Sequence, residues 1–176
     1  MVNECLEHVR KNGELSPGKV FASSSGSLPC KSVIHTVGPM WKGGSNNEDI
    51  DLRLAVVAAV EEADRRRHRS VAVPAVSCGQ YGFPAERGAH VILTALRQTL
   101  STCRSVTEVS VVSGSSVIQS FHETLVTTCG PTSVRRVRDV SQPDDVGQYI
   151  VRILISTDTK ARLPLAELTA RVNGPS

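Results

Sequence analysis

Residues 73–88 read "VPAVSCGQYGFPAERG" and hold Gly79, Gly82 and Pro84 around Tyr81 and Phe83, in a chain whose aromatic content is only 3%. The run has the form of a buried strand, a glycine-punctuated turn and a helix start. Glycines permit positive φ and close backbone approach. Proline suits the first turn of a helix, where its missing N–H would be unpaired anyway. A helix start presents free N–H groups and a positive partial charge, which together suit a phosphate. The chemistry suggested is anion binding by the backbone amides of Ser77 to Gly82, with Tyr81 and Phe83 walling a pocket beside a sugar. The competing reading is a simple chain reversal with an aromatic capping the core. The run is neither GxGxxG nor a P-loop, since no Gly-Lys-Ser/Thr follows Gly82.

Few other residues invite a chemical role. Cys5, Cys30, Cys78, Cys103 and Cys129 are odd in number and widely spread, without a CxxC pair, so they read as free thiols rather than a zinc site. Cys78 lies in the turn itself, where a helix N-terminus can lower a thiol pKa, but small-residue packing accounts for it better. His35 in "VIHTVG" reads as a hydrogen-bonded structural residue. No Ser-His-Asp or Cys-His set stands at a meaningful spacing, so no catalytic residue and no metal site is assigned. The "RRRHR" cluster at residues 65–69 is an alternative nucleic-acid contact or address signal. No aromatic interleaves it, and cations at a helix C-terminus are ordinary.

The elements that must carry these residues follow from periodicity. "ECLEHVRKNG" is a helix closed by Asn12-Gly13; "GKVFAS" and "KSVIHTVG" are short strands. The polar loop "PMWKGGSNNED" leads into the helix "IDLRLAVVAAVEEADRRR", with Asn47 or Glu48-Asp49 at its positive end. "SVAVPAV" is a strand apolar on both faces, as expected under helices on each side. "AERGAHVILTALRQTL" is a helix with Ala89, Ile92, Leu93, Leu96 and Leu100 as its apolar stripe, followed by the strand "EVSVVS" and the helix "VIQSFHETLV". Strands alternating with helices predict a mixed, largely parallel sheet between helical layers. Residues 130–146 read as a linker. In the tail, residues 147–176, "QYIVRILIST" is a strand and "LPLAELTARV" a short helix.

Bulk properties set the frame. The 176 residues suit one ordinary domain with an appended segment, and a formal charge of +3 does not by itself imply nucleic acid. No apolar run nears the roughly 18 residues of a spanning helix, and with no apolar stretch in "MVNECLEHVRKNGE" a secretory signal is not expected. Free thiols fit a reducing compartment, so the expected address is intracellular, nucleus or cytoplasm.

The pair "SVIHTVGPMW" and "SVAVPAVSCGQYGFP", joined by a loop and helix of this length, resembles the macro domain. The lead-in "GELSPGKVFASSSGSLPCK" is similar to macro domains of the PARP-type, B-aggressive-lymphoma group. The likeness runs from about residue 4 to residue 128, so residues 1–129 are expected to form the domain. It implies a three-layer α/β/α fold and ADP-ribose, free or on ADP-ribosylated proteins, as ligand and partner. No other cofactor is implied. The family's diphosphate loop falls on Ser77, Cys78, Gly79, Gln80, Tyr81 and Gly82, with Gln80, Tyr81 and Phe83 toward the distal ribose. Val37, Gly38 and Pro39 fall on a pocket-shaping strand end. The resemblance also implies two further N-terminal strands and a helix, with an Asp for adenine, an Asn-Ala-Ala-Asn segment and a Gly-rich second phosphate loop. No "GDI", "NAAN" or "GGG" occurs in this sequence. The expectation is therefore an N-terminally incomplete macro domain of a PARP-type protein that reads ADP-ribose weakly, without the hydrolase residues. "QYIVRILIST" would then cover an open sheet edge.

Overall fold

The computed structural model describes residues 1–129 and, beyond them, three strands at residues 134–136, 148–154 and 166–168. Helix α1 (Val2–Asn12) ends at Gly13, whose φ of 78° lets its N–H reach the Val9 carbonyl at 2.8 Å. None of its residues is buried. It leans on strand β1 (Val20–Ser23) through a stack of His8 on Phe21, with ring centroids 4.2 Å apart. Strand β2 (Val33–Thr36) pairs antiparallel with β1, with Phe21 opposite His35.

Helix α2 (Glu48–Arg65) buries Leu52, Ala55, Val56, Ala59, Val60 and Ala63, an i, i+3, i+4, i+7 stripe that turns one face to the core. It starts two residues before the run read from sequence. Asn47 does hold the N-cap position, but at φ 61° it makes no side-chain cap bond. Strand β3 (Ser70–Pro74), helix α3 (Ala85–Leu100) and strand β4 (Glu108–Gly114) form a βαβ unit, with β3 and β4 parallel and Val71 opposite Val109. All five stripe residues expected on α3 are buried. Helix α4 (Ser115–Cys129) follows and buries Ile118, Phe121 and Leu125.

The core lies among α2, α3, α4, β3 and β4, around Phe121, Leu52, Ile92 and Leu96. Aliphatic side chains supply nearly all of it, as the aromatic-poor composition requires. Strand β3 departs from expectation: only Val73 is buried, while Ser70, Ala72 and Pro74 are exposed. Its alternation marks a strand covered on one face among the described residues, not on both.

Beyond α4, strand β5 (Val134–Arg136) lies within the stretch read as a linker. Strand β6 (Gln148–Leu154) is the expected "QYIVRIL" strand, and it adds antiparallel to the edge of β4, with Val111 opposite Val151. Strand β7 (Ala166–Leu168) replaces the short helix read there. Its parallel ladder with β5, Val134 opposite Ala166, outweighs local helix preference. The rest of the linker and tail lies outside the described residues. The sheets among the described residues are β1-β2, β3-β4-β6 and β5-β7, so β2 and β3, which line a common cavity, are not hydrogen-bonded partners. No helix among the described residues is long and apolar enough to cross a membrane.

Candidate functional site

The turn after β3 is wound tightly on itself. The amide of Val76 donates to Pro74 at 2.8 Å, Cys78 to Ala75 at 3.0 Å, Gly82 to Gly79 at 2.9 Å and Phe83 to Ser77 at 3.0 Å. The left-handed positions are Ser77 (φ 64°) and Gly82 (φ 68°); Gly79, which could take positive φ, does not. A non-glycine residue held there is costly and marks a constrained turn. The amides of Cys78 and Gly82 are thus engaged inside the turn. Those of Ser77, Gly79, Gln80 and Tyr81 have no protein acceptor among the described residues. Successive N–H groups left open beside a left-handed residue form an anion-binding concavity.

The two aromatics have separated roles. Tyr81 is exposed at 42%, whereas Phe83 is 2% exposed. Phe83 packs on Trp41 with ring centroids 4.8 Å apart and lies near Gly88 of α3. Phe83 thus does not stand with Tyr81 as a wall beside a sugar, as expected from the sequence; it caps the core and anchors the turn from beneath. Cys78 is half-buried, its Sγ in the space a Cβ on Gly88 would need. Burial pushes its thiol up to about 11, the opposite of an activated cysteine. Pro84 takes the N-cap of α3, one position before the first helical turn.

Val37, Gly38 and Pro39 leave β2 directly beside this turn. Gly38 and Pro39 are buried, and Val76 and Ser77 press on Gly38 so closely that a Cβ has no room. The next stretch clasps the turn, since the Trp41 amide donates to the Tyr81 carbonyl at 2.9 Å. Arg87 stacks over Trp41 at 5.1 Å and grips Asp49 through Nε and a terminal nitrogen, each at 2.8 Å. Glu48 holds the Gly-Gly loop, accepting amides of Lys42 (3.1 Å), Gly44 (3.0 Å) and Asn46 (2.6 Å). Burial alone would raise the pKa of Glu48, but these bonds and its own amide outweigh it and hold the carboxyl at about 2. Glu48 was read from sequence only as a charge at a helix start. Its reach back into the loop leaves no spacing signal.

A cavity of about 970 Å³ opens below the turn, between β2 and β3, reaching from His68 to Ser77 and Tyr81. His35 lines it and is half-buried, with Nε2 at 2.9 Å from the Ser23 hydroxyl and 3.6 Å from Cys5 Sγ. This ties α1 to the β1-β2 hairpin, the structural part read for His35. A Cys-His contact does form, although sequence spacing gave no sign of it. The basic run ends α2: Arg65 and Arg66 both bind Glu62, at 2.7 and 2.6 Å. Among the described residues, no group of three His, Cys, Asp or Glu side chains is placed to hold a metal.

The Macro domain family model matches residues 1–92, spanning the β1-β2 hairpin, α2, β3 and the turn. The chain belongs to the macro domain family. Its mixed α/β fold agrees. The macrodomain of Oceanobacillus iheyensis, solved with ADP, superposes with a TM-score of 0.67 at 29% identity, covering 72% of this chain and 68% of that one. A mutant of the same macrodomain solved with ADPR gives 0.67 at 28%, covering 72% and 70%. An O-acetyl-ADP-ribose deacetylase of Citrobacter rodentium is 31% identical over 130 residues, 74% of this chain and 73% of that protein. A macro domain-containing protein of Caldanaerobacter subterraneus is 41% identical over 93 residues, so the match spans about half of each (52% and 53%).

Proposed function

We propose that this macro domain binds ADP-ribose. The carrying observation is the set of open amides at Ser77, Gly79, Gln80 and Tyr81, in the turn that leads into α3, with Ser77 itself left-handed. An extended diphosphate laid along them replaces water at several donors at once, and the α3 dipole adds to the attraction. Tyr81, exposed on the rim, stands beside the distal ribose, with Gln80 next to it. Val37, Gly38 and Pro39 form the adjoining wall. The names of the relatives, and the ADP and ADPR of the solved macrodomains, support the ligand class.

The finer reading is a PARP-type reader, on the likeness of "GELSPGKVFASSSGSLPCK", whose affinity is reduced. The sequence holds no motif of the type that meets adenine or closes over the second phosphate. Several hydrogen bonds at about 1 kcal/mol each, net, are then not made. Two such bonds amount to more than a decade in affinity, since about 1.4 kcal/mol is tenfold. The proposal is binding without turnover, so O-acetyl-ADP-ribose is expected to survive incubation with the chain.

Calorimetric titration of the full chain with ADP-ribose tests both parts. Binding weaker than micromolar, weakened further in Tyr81→Ala and retained with ADP alone at lower affinity, is the expected result. Micromolar or tighter binding overturns the weakening, and no heat at millimolar ligand overturns the reader.

A further inference from the structure

Three segments distant in the chain meet at the end of β3 away from the turn. The carboxylate of Asp64, near the end of α2, accepts the Arg104 amide at 3.0 Å. The Arg69 carbonyl accepts the amides of Thr107 (2.9 Å) and Glu108 (3.2 Å), and Ser32 Oγ lies 2.8 Å from His68 Nε2. Lys31, Arg67, Arg69 and Arg104 are thereby gathered just before β2, β3 and β4, and all four are exposed. Arg67 takes a left-handed φ of 59°, where the chain turns from α2 toward β3. None of the four makes an ion pair among the described residues. The acids nearby are engaged: Glu62 carries both Arg65 and Arg66, and Asp64 is spent on three amides, with the Arg104 charge acting on it as well. Glu108 has an interaction of its own, and Glu61 stands at the margin, where its charge acts on Cys103. The five residues of β3, roughly 16 Å of strand, separate this end from the turn, so a diphosphate at the turn makes no use of these cations.

We propose that this basic end docks on the phosphate backbone of a double-stranded nucleic acid, without reading its sequence. The run at residues 65–69 is by itself an ordinary helix end; Lys31 and Arg104, brought to it only by the fold, make it a surface. Three of the four cations are arginines, whose planar fork donates to phosphate oxygens in pairs. A single strand is held largely by bases stacked on aromatic rings. Here Trp41, Tyr81 and Phe83 belong to the turn and Phe121 is buried, so no ring serves that purpose. A duplex asks only for cations along its backbone, and that is what this end offers.

The test is fluorescence anisotropy of a labelled DNA duplex of about 20 base pairs, titrated with the full chain. A Kd of about 10 μM is expected at 50 mM salt. Contact with three or four phosphates gives a slope of log affinity on log salt of about −3, roughly a sixtyfold loss between 50 and 200 mM. Arg67→Ala with Arg69→Ala should weaken binding at least about fivefold at 50 mM salt and flatten the slope to about −1. Arg10→Ala with Lys19→Ala removes two exposed cations outside the cluster and should leave the slope unchanged. Circular dichroism checks that both variants stay folded. No anisotropy change at about 100 μM chain and 50 mM salt overturns the proposal. So does an equal loss in the two variants, which would mean that overall charge and not this end is responsible. Tighter binding to one strand of the same DNA overturns the choice of a duplex. Displacement of the duplex by ADP-ribose would place it at the turn, against the proposal.

Discussion

The side chain of Ser77 occupies the space that a Cβ on Gly38 would need, and Val76 Cγ1 lies 2.5 Å from that same Cβ position. The exit of β2 and the turn after β3 are thus keyed to each other by one missing methyl group. Gly38→Ala is expected to cost about 1–3 kcal/mol, as overpacking of a tight contact does. It should also displace Ser77 and so weaken ADP-ribose binding. Urea unfolding checks the first effect and calorimetry the second. Removing the Ser77 side chain should recover part of both, so Gly38→Ala with Ser77→Gly is predicted to lose less than the single changes add up to. Strict additivity would show that the two residues do not meet.

Glu48 gives the fold an acid-sensitive clasp. Its folded pKa of about 2 lies below the ordinary 4.5, so the carboxylate contributes stability in full above about 4.5 and loses it as pH falls through about 2. Glu48→Gln removes this contribution. The urea midpoint of the variant should fall below that of the native chain at pH 7, and the gap should narrow only below about pH 4.5. Glu4, also held at about 2 by Ser24 and the N-terminal amine, acts in the same window, but it cancels in the difference between the two proteins. A gap that stays constant to pH 2.5 would refute the assignment. Amides of residues 42–46 are expected to exchange faster in the variant throughout.

What was legible in the sequence was whatever has a period. The α3 stripe from Ala89 to Leu100 and the order of elements up to residue 129 both show as alternation or as 3.6-residue recurrence. The end of "QYIVRILIST" that pairs with β4 showed in the same way. What escaped was contact between residues far apart in the chain. Phe83 and Tyr81 are two residues apart in one turn, yet Trp41, some forty residues earlier, decides that Phe83 goes inward. Likewise β3 looked coverable on both faces because Val71, Ala72 and Val73 are all apolar. Its exposure depends on what lies over Ala72, which no local pattern encodes.

The thiols sort by burial. Desolvation raises Cys78 to about 11, and desolvation with the charges of Asp64 and Glu61 raises Cys103 to about 11, while Cys30 is exposed. At pH 8 a thiol of pKa 11 is thiolate about one part in a thousand. Labelling with a disulfide reagent, followed by peptide mapping, should therefore modify Cys30 at least about a hundredfold faster than Cys78 or Cys103. Rapid labelling of Cys78 would mean that the turn opens, or that its amides lower the thiol pKa after all.

Asp64 is the remaining clasp, and the one farthest from the turn. Near the end of α2 its carboxylate accepts the amides of Arg104 (3.0 Å), Ser105 (2.6 Å) and Val106 (2.9 Å), three consecutive donors in the passage from α3 to β4. The bonds from Val106 and Ser105 lower its pKa against the raising effect of burial. Val106 is 1% exposed, so its N–H has no water to turn to if the carboxylate goes. Asp64→Ala is therefore expected to cost about 1–3 kcal/mol, a fall in Tm of about 2–4 °C for each kcal/mol in a chain of this size. Asp64→Asn keeps one acceptor oxygen and should lose less. Neither change touches Gly38, Ser77 or the open amides, so ADP-ribose affinity should stay within about twofold while stability falls. A parallel loss of affinity would mean that the α2–β4 junction sets the shape of the turn, and that β3 transmits it.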